Sequence, residues 1–175
     1  DVQAQQFESG RGVVCDHRAH DIPQALGHME HYEIVIVGGA AVGSAAAYFL
    51  ASAPAFDGRL LVLEQDFSYQ RCATTLSVAS VRQQFSTPEN IRMSMFGTEF
   101  IGQAPTLLAV DGDTPDLAWR EGGYLFLASA AGLETLRTNH RTQRDQGAEV
   151  LLLDPEALHR RFGWLQVDDL AGASL

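Results

Sequence analysis

The residues whose types and spacing suit chemistry begin at Gly38-Gly39-Ala40-Ala41-Val42-Gly43, six positions of which five are glycine or alanine and leave the backbone almost bare. A bare backbone is what a pyrophosphate needs, because its oxygens must come within hydrogen-bond distance of main-chain N–H groups. Gly38 allows a tight turn, Gly39 and Ala40 let the chain approach phosphate, and Gly43 lets the next helix pack closely on the strand before it. That helix, opening through Ala41 and Val42, adds free N–H groups and a partial positive charge at its start. Glu64 stands 21 positions beyond Gly43, where a carboxylate can accept hydrogen bonds from both hydroxyls of a nucleotide ribose. The pattern departs from G-x-G-x-x-G at Ala40, whose methyl costs clearance. The plainer reading, in which these glycines serve only the packing of a βαβ unit, stays open on these residues alone.

The elements needed to position such a site are all present in one unit of about thirty residues. Ile34-Val35-Ile36-Val37 reads as a buried parallel strand. After the glycines and a small-residue helix, Pro54 and Asp57-Gly58 turn the chain into a second strand, Arg59 to Leu63, which delivers Glu64. A second cluster follows from Arg71 to Arg82, crowded with Thr74, Thr75, Ser77 and Ser80. Small hydroxyl side chains and backbone amides can follow an extended cofactor, and Arg82 can neutralise developing negative charge or fix a carboxylate. The alternative is a solvated loop leading into a helix.

Further along, Thr87-Pro88 predicts a helix start, with Ile91, Met95, Phe96 and Phe100 at helical spacing. Leu117–Arg120 and Tyr124–Leu127 predict a hairpin through Glu121-Gly122-Gly123. A helix over 131–146, closed by Gly147, a strand over Val150–Leu153 and a short helix capped by Asp154 complete the pattern, with a strand expected in the last residues. Residues 1–28 carry no clear period and are expected to be a poorly ordered leader, with Met29 as a natural start. The histidines there, with Cys15, lack a scaffold for a metal, so none is expected. Domains are expected at 29–115 and 116–175.

Composition narrows the function. The 175 residues are 46% hydrophobic and 19% charged, ordinary for a globular protein. A net charge of -10 argues against nucleic acid and anionic membranes, which are approached through positive patches. No stretch approaches a membrane span. All 12 basic residues are arginine, which excludes a Walker lysine and Schiff-base chemistry on lysine within the chain. Two cysteines without metal or redox spacing point to a reducing, cytoplasmic setting, and Cys72 reads as a passive small residue.

The glycines, Glu64, the run Thr74-Thr75-Leu76-Ser77-Val78-Ala79-Ser80-Val81-Arg82-Gln83-Gln84-Phe85 and Gly123-Tyr124-Leu125-Phe126-Leu127 together resemble the FAD-dependent oxidoreductases of the D-amino-acid oxidase, sarcosine oxidase and glycine oxidase family. The resemblance runs from Met29 to the last residue. It implies an α/β fold, a Rossmann-like FAD-binding βαβ unit followed by the start of an α+β substrate domain. It implies FAD with its pyrophosphate at Gly38, Gly39, Ala40, Ala41, Val42 and Gly43, its adenosine at Glu64 and Gln65, and Arg71, Thr74, Thr75, Ser77 and Arg82 along the cofactor. The reaction implied is oxidation of a carbon–nitrogen bond in a small amine or amino acid, sarcosine or dimethylglycine above all, by hydride transfer to flavin N5. Oxygen or an acceptor protein would take the electrons. Family members are about twice as long, so an incomplete chain is expected and no catalytic residue is assigned. The competing readings are a non-catalytic nucleotide-binding fragment or module, truncated or needing a partner chain, and an NAD-dependent dehydrogenase domain. The hydroxyl-rich loop after Glu64 disfavours the second, since further βαβ units would be expected there.

Overall fold

The protein's structure, a computed structural model, describes residues 31–175 and, ahead of them, the backbone of two short strands, β1 (Gln3–Ala4) and β2 (Val13–Val14). The rest of the expected leader, with Cys15, His17, His20 and His28, lies outside the described residues. The chain forms two compact units, residues 1–80 and 81–175.

The first unit is organised on β4 (Leu60–Glu64). Strand β3 (Ile34–Val37) pairs with it in parallel, Ile34 opposite Leu60 through Val37 opposite Leu63. Strand β1 meets its end antiparallel at Leu63 and Glu64, and β2 its beginning in parallel at Leu60 and Leu61. Two parallel strands cannot be joined by a tight turn, and helix α1 (Ala41–Ser52) makes the crossover. Its side Ala47, with Leu50, packs on Leu60 and Val62 of β4 and on Ile34 and Ile36 of β3. The strand expected to be buried on both faces is instead two-sided: Val35 and Val37 point away from that core, and Val37 is 83% exposed. The period of two along β3 sends alternate residues to opposite faces, and α1 covers only one.

In the second unit β7 (Gly172–Ser174) is the middle of a three-stranded antiparallel sheet, with β5 (Phe126–Ala128) on one side and β6 (Leu152–Leu153) on the other. The β6 edge is lengthened by reciprocal bonds between Leu151 and Leu175, 2.7 and 2.9 Å. Helices α3 (Leu133–Asp145) and α4 (Pro155–Arg161) both pack on β7. Helix α2 (Pro88–Leu107) meets α3, and Ile91 of α2 is fully buried with Ala148 and Val150 beneath Phe85 and Met95. This packing puts α2 in the second unit, whereas the sequence expectation set it before a boundary at 115/116. Asp154 caps α4 as expected, its carboxylate accepting from the Ala157 N–H at 2.7 Å. Gly147, at φ +88, closes α3.

The expected hairpin is corrected. Residues 117–120 form no strand, and β5 finds its partner in β7, with Phe126 opposite Ser174. Asp116 accepts the Ala118 N–H at 2.7 Å and Ala118 turns to φ +49, which breaks the first half of the hairpin before it can pair. The strand that wins is distant in sequence and is covered by helices.

Truncating a fully buried side chain tests the division into packed units. Leu60→Ala, at the floor of the first core, is expected to cost about 2–5 kcal/mol of stability in chemical denaturation.

Candidate functional site

Strand β3 ends at Val37, and the next residue still follows the ladder, because the Gly38 N–H donates to the Leu63 carbonyl at 2.7 Å. Gly38 then turns at φ +99, a conformation that a side chain would strain. The turn returns the chain so tightly that a Cβ on Gly43 would stand 1.7 Å from the Gly38 carbonyl oxygen and 3.2 Å from Ile36. Glycine is therefore compulsory at 43. Ala40 sits at the helix N-cap with no side-chain cap bond, and Ala41 and Val42 are exposed. The first N–H groups of α1 are thus left uncapped by any side chain, which suits an anion. The Ser44 hydroxyl donates to the Gly39 carbonyl and holds the turn from behind.

Glu64 closes the site from the end of β4. Its Oε2 accepts from the Gly39 N–H at 2.7 Å and its Oε1 from the Asp66 N–H at 2.9 Å. These two N–H groups, Asp66 first, hold the Glu64 carboxyl below the usual carboxylate range. One side chain therefore ties the glycine turn to the loop beyond the strand. Asp66 is lowered in the same way by Ser68, whose hydroxyl donates at 2.6 Å and whose N–H donates at 2.9 Å.

Beside Glu64 opens a cleft of about 320 Å³ lined by Glu64, Gln65, Asp66, Tyr69, Arg71 and Cys72. The structure thus brings three of the sequence-derived residues, Glu64, Gln65 and Arg71, to one concavity directly beyond the glycine turn. Thr74, Thr75 and Ser77 are exposed and spend their hydroxyls locally. Ser77 donates to the Thr74 carbonyl at 2.8 Å, and Thr75 pairs with the Cys72 sulfur at 3.2 Å. That hydroxyl, with the Thr75 N–H, draws the Cys72 thiol below its usual range. Arg82 belongs to the second unit.

Sequence reasoning missed Tyr69 and Asp66 as lining residues. Tyr69 adopts φ +53, and its hydroxyl comes 3.2 Å from where a Cβ on Gly39 would be. Its ring therefore stands against the phosphate turn. An aromatic in a loop carries no signal of such a role.

The donor set fits a dinucleotide. A phosphate needs the uncapped helix end and the clearance at Gly38–Gly43, and a ribose needs the acceptor at Glu64. One oxygen of that acceptor meets the glycine turn and the other the loop beyond the strand, with nothing cationic paired to them among the described residues.

In Arg82 the guanidinium carbon lies 4.7 Å from the ring centre of Phe85, 5.3 Å from that of Phe126 and 5.8 Å from that of Tyr124. Its Nε is buried without a partner, and no acidic side chain among the described residues pairs with it.

Comparison with known proteins places this geometry among relatives. Residues 33–175 match the family model described as FAD dependent oxidoreductase. The chain is similar to the FAD-dependent oxidoreductase domain-containing protein 1 of Bos taurus, 42% identical over 148 residues that cover 83% of this chain and 30% of that protein. The protein of the same name from Mus musculus is 34% identical over 99% of this chain and 37% of its own length. Among solved structures it is similar to L-proline dehydrogenase from P. horikoshii, with a TM-score of 0.67 and 26% identity across 84% of this chain and 37% of that one. The chain spans about a third of the length of the relatives it matches.

Gly43→Ala is expected to force α1 away from the turn, destabilising the unit by about 1–3 kcal/mol or more and abolishing retention of an added flavin dinucleotide on gel filtration. Glu64 gives a pH signature. Because its pKa is lowered by folding, its stabilisation is present above the ordinary glutamate range and is lost as pH falls through the lowered value. The melting temperature of the nucleotide-free chain should fall from about pH 5 downward, and less steeply in Glu64→Gln, which already lacks the charge.

Proposed function

The chain belongs to the FAD dependent oxidoreductase family, and we propose that it forms the FAD-binding part of an enzyme that oxidises a carbon–nitrogen bond in a small amine or amino acid. The observation that carries this reading is the enforced contact of Gly43 on Gly38 together with the Glu64 carboxylate at the neighbouring strand end. FAD, when bound, would supply the acceptor for a hydride, one proton with two electrons, from the carbon next to the amine.

The chain's own residues bind and orient. Main-chain N–H groups at the start of α1, from Ala40 to Gly43, would hold the pyrophosphate across the bare turn at Gly38 and Gly39, whose own N–H groups bond Leu63 and Glu64, and Glu64 with Gln65 would hold the adenosine ribose. Arg71 flanks the same cleft, and Thr74, Thr75 and Ser77 offer small hydroxyls further along. Arg82 supplies the positive charge that tunes the flavin or fixes a carboxylate. Its lack of an acidic partner among the described residues supports that role, since a cation already neutralised would offer little to an anion.

The resemblance to a family of sarcosine and amino-acid oxidases and the similarity to a protein named L-proline dehydrogenase support an N-substituted amino acid as substrate, sarcosine or dimethylglycine among them. Oxygen or an acceptor protein takes the electrons. No helix among the described residues is long and apolar enough to cross a membrane, and the cysteine content supports a reducing, cytoplasmic setting. A second reading follows from length. A chain that spans about a third of its relatives is also read as a nucleotide-binding module that turns over only with further polypeptide.

The visible spectrum of the purified chain with added FAD tests both. Retained flavin bands that bleach anaerobically with sarcosine, dimethylglycine or L-proline are the expected result. Bands that persist with every amine select the module reading, and protein that FAD does not tint sinks both.

A further inference from the structure

Arg82 is expected to end a loop along the cofactor, and within the second unit the segment from Arg82 to Phe85 is held from several elements at once. The Arg82 carbonyl accepts from the Ser94 hydroxyl of α2. The Gln143 side chain of α3, almost fully buried, donates to the Phe85 carbonyl at 3.0 Å. Gln84, also buried, donates to the Ser174 hydroxyl of β7 at 3.4 Å. Ser174 is opposite Phe126 of β5 in the sheet register. The chain from Arg82 to Phe85 is therefore fixed to two helices through its backbone and to a sheet through the Gln84 side chain.

The side chain itself is treated differently. Its guanidinium lies against Phe85 at 4.7 Å and Phe126 at 5.3 Å, with Tyr124 at 5.8 Å stacked on Phe126 at 5.4 Å. A ring face attracts the cation through its quadrupole but leaves the charge in place, whereas a carboxylate would neutralise it. A long arginine side chain is ordinarily mobile, and three rings limit its rotamers without using its N–H donors.

We propose that Phe85, Tyr124 and Phe126 are positioning residues that hold Arg82 as a directed cation without a counter-ion, so that its terminal N–H groups stay free for an anion of the reaction. This rests on the reading above in which Arg82 serves the oxidation. The rings act only through Arg82.

The test has a spectroscopic arm and a kinetic arm. In a chain labelled with ¹⁵N-arginine, the Arg82 Nε–H signal is expected upfield of the other arginines through ring currents and slow to exchange with solvent, because that atom is buried. Phe126→Leu should return the signal towards the others, and Phe126→Tyr should keep it displaced. In the FAD-loaded protein, Phe126→Leu should lower kcat/KM by about tenfold, the scale of a lost cation–π contact, and Phe126→Tyr should restore it. Tyr124→Leu, at a partly exposed ring, gives the same comparison if Phe126→Leu does not fold. An Arg82 signal that coincides with the other arginines overturns the proposal. So does a displaced signal that the leucine variants leave unmoved, or one they collapse without changing kcat/KM. A chain that takes up no FAD overturns the reading of the cofactor site instead, and the arginine signal, measured without FAD, tells the two failures apart.

Discussion

The first unit depends on one close approach, that of Gly43 in α1 to the carbonyl of Gly38. A side chain at 43 would stand within bonding distance of that oxygen, so the crossover helix reaches the strand only because nothing is there. From this contact follow the angle at which α1 leaves the turn and the packing of Ala47 and Leu50 on Leu60 and Val62. The exposure of the helix start to anions follows as well. Glu64 completes the constraint from the other strand. Bonds from Gly39 and Asp66 to its two oxygens fix the glycine turn relative to the end of β4 before any ligand arrives. Such preorganisation lowers the ordering cost of binding.

The second unit solves a different problem. Its sheet is short, and it is tied together by helices laid on β7 and by two buried glutamines, Gln143 bonding the Phe85 carbonyl and Gln84 the Ser174 hydroxyl. Gln143 and Gln84 are buried for this purpose, each using its amide N–H₂. Both leave a side-chain oxygen without a partner, a local cost that the fold carries where it pins the segment around Arg82. Buried polar groups with incomplete satisfaction concentrate where structure serves something other than stability. The same neighbourhood holds an arginine packed on rings rather than paired with an acid, which fits that pattern.

The two ends of the functional reading therefore rest on different physics. At the glycine turn, the proposed affinity for a dinucleotide rests on main-chain N–H groups and clearance, so identity matters only where a side chain would intrude. At Arg82 the proposed role rests on a charge with no acidic partner among the described residues, so the identity of the surrounding rings matters and the backbone merely aims it.

Much of this was legible in the residues themselves. Local rules sufficed for β3, the glycine turn, α1 and β4, because a strand, a turn needing φ above zero and a helix with small residues leave signatures within thirty positions. They also sufficed for the caps at Asp154 and Gly147, and for Glu64 as the acid at the strand end. The hairpin over 117–127 was misread because alternation shows that β5 is a strand but not which strand it joins. Its partner lies almost fifty residues away at Gly172–Ser174, and only packing under α3 and α4 selects it. Tyr69 against the phosphate turn and Phe85, Tyr124 and Phe126 around Arg82 were out of reach for the same reason. An aromatic residue has one hydrophobic signature whether it fills a core, walls a cleft or holds a cation. The sequence by itself determined where backbone must be bare and where a carboxylate must stand. Tertiary structure alone decided which rings meet which charge, since those contacts join residues that no local period relates.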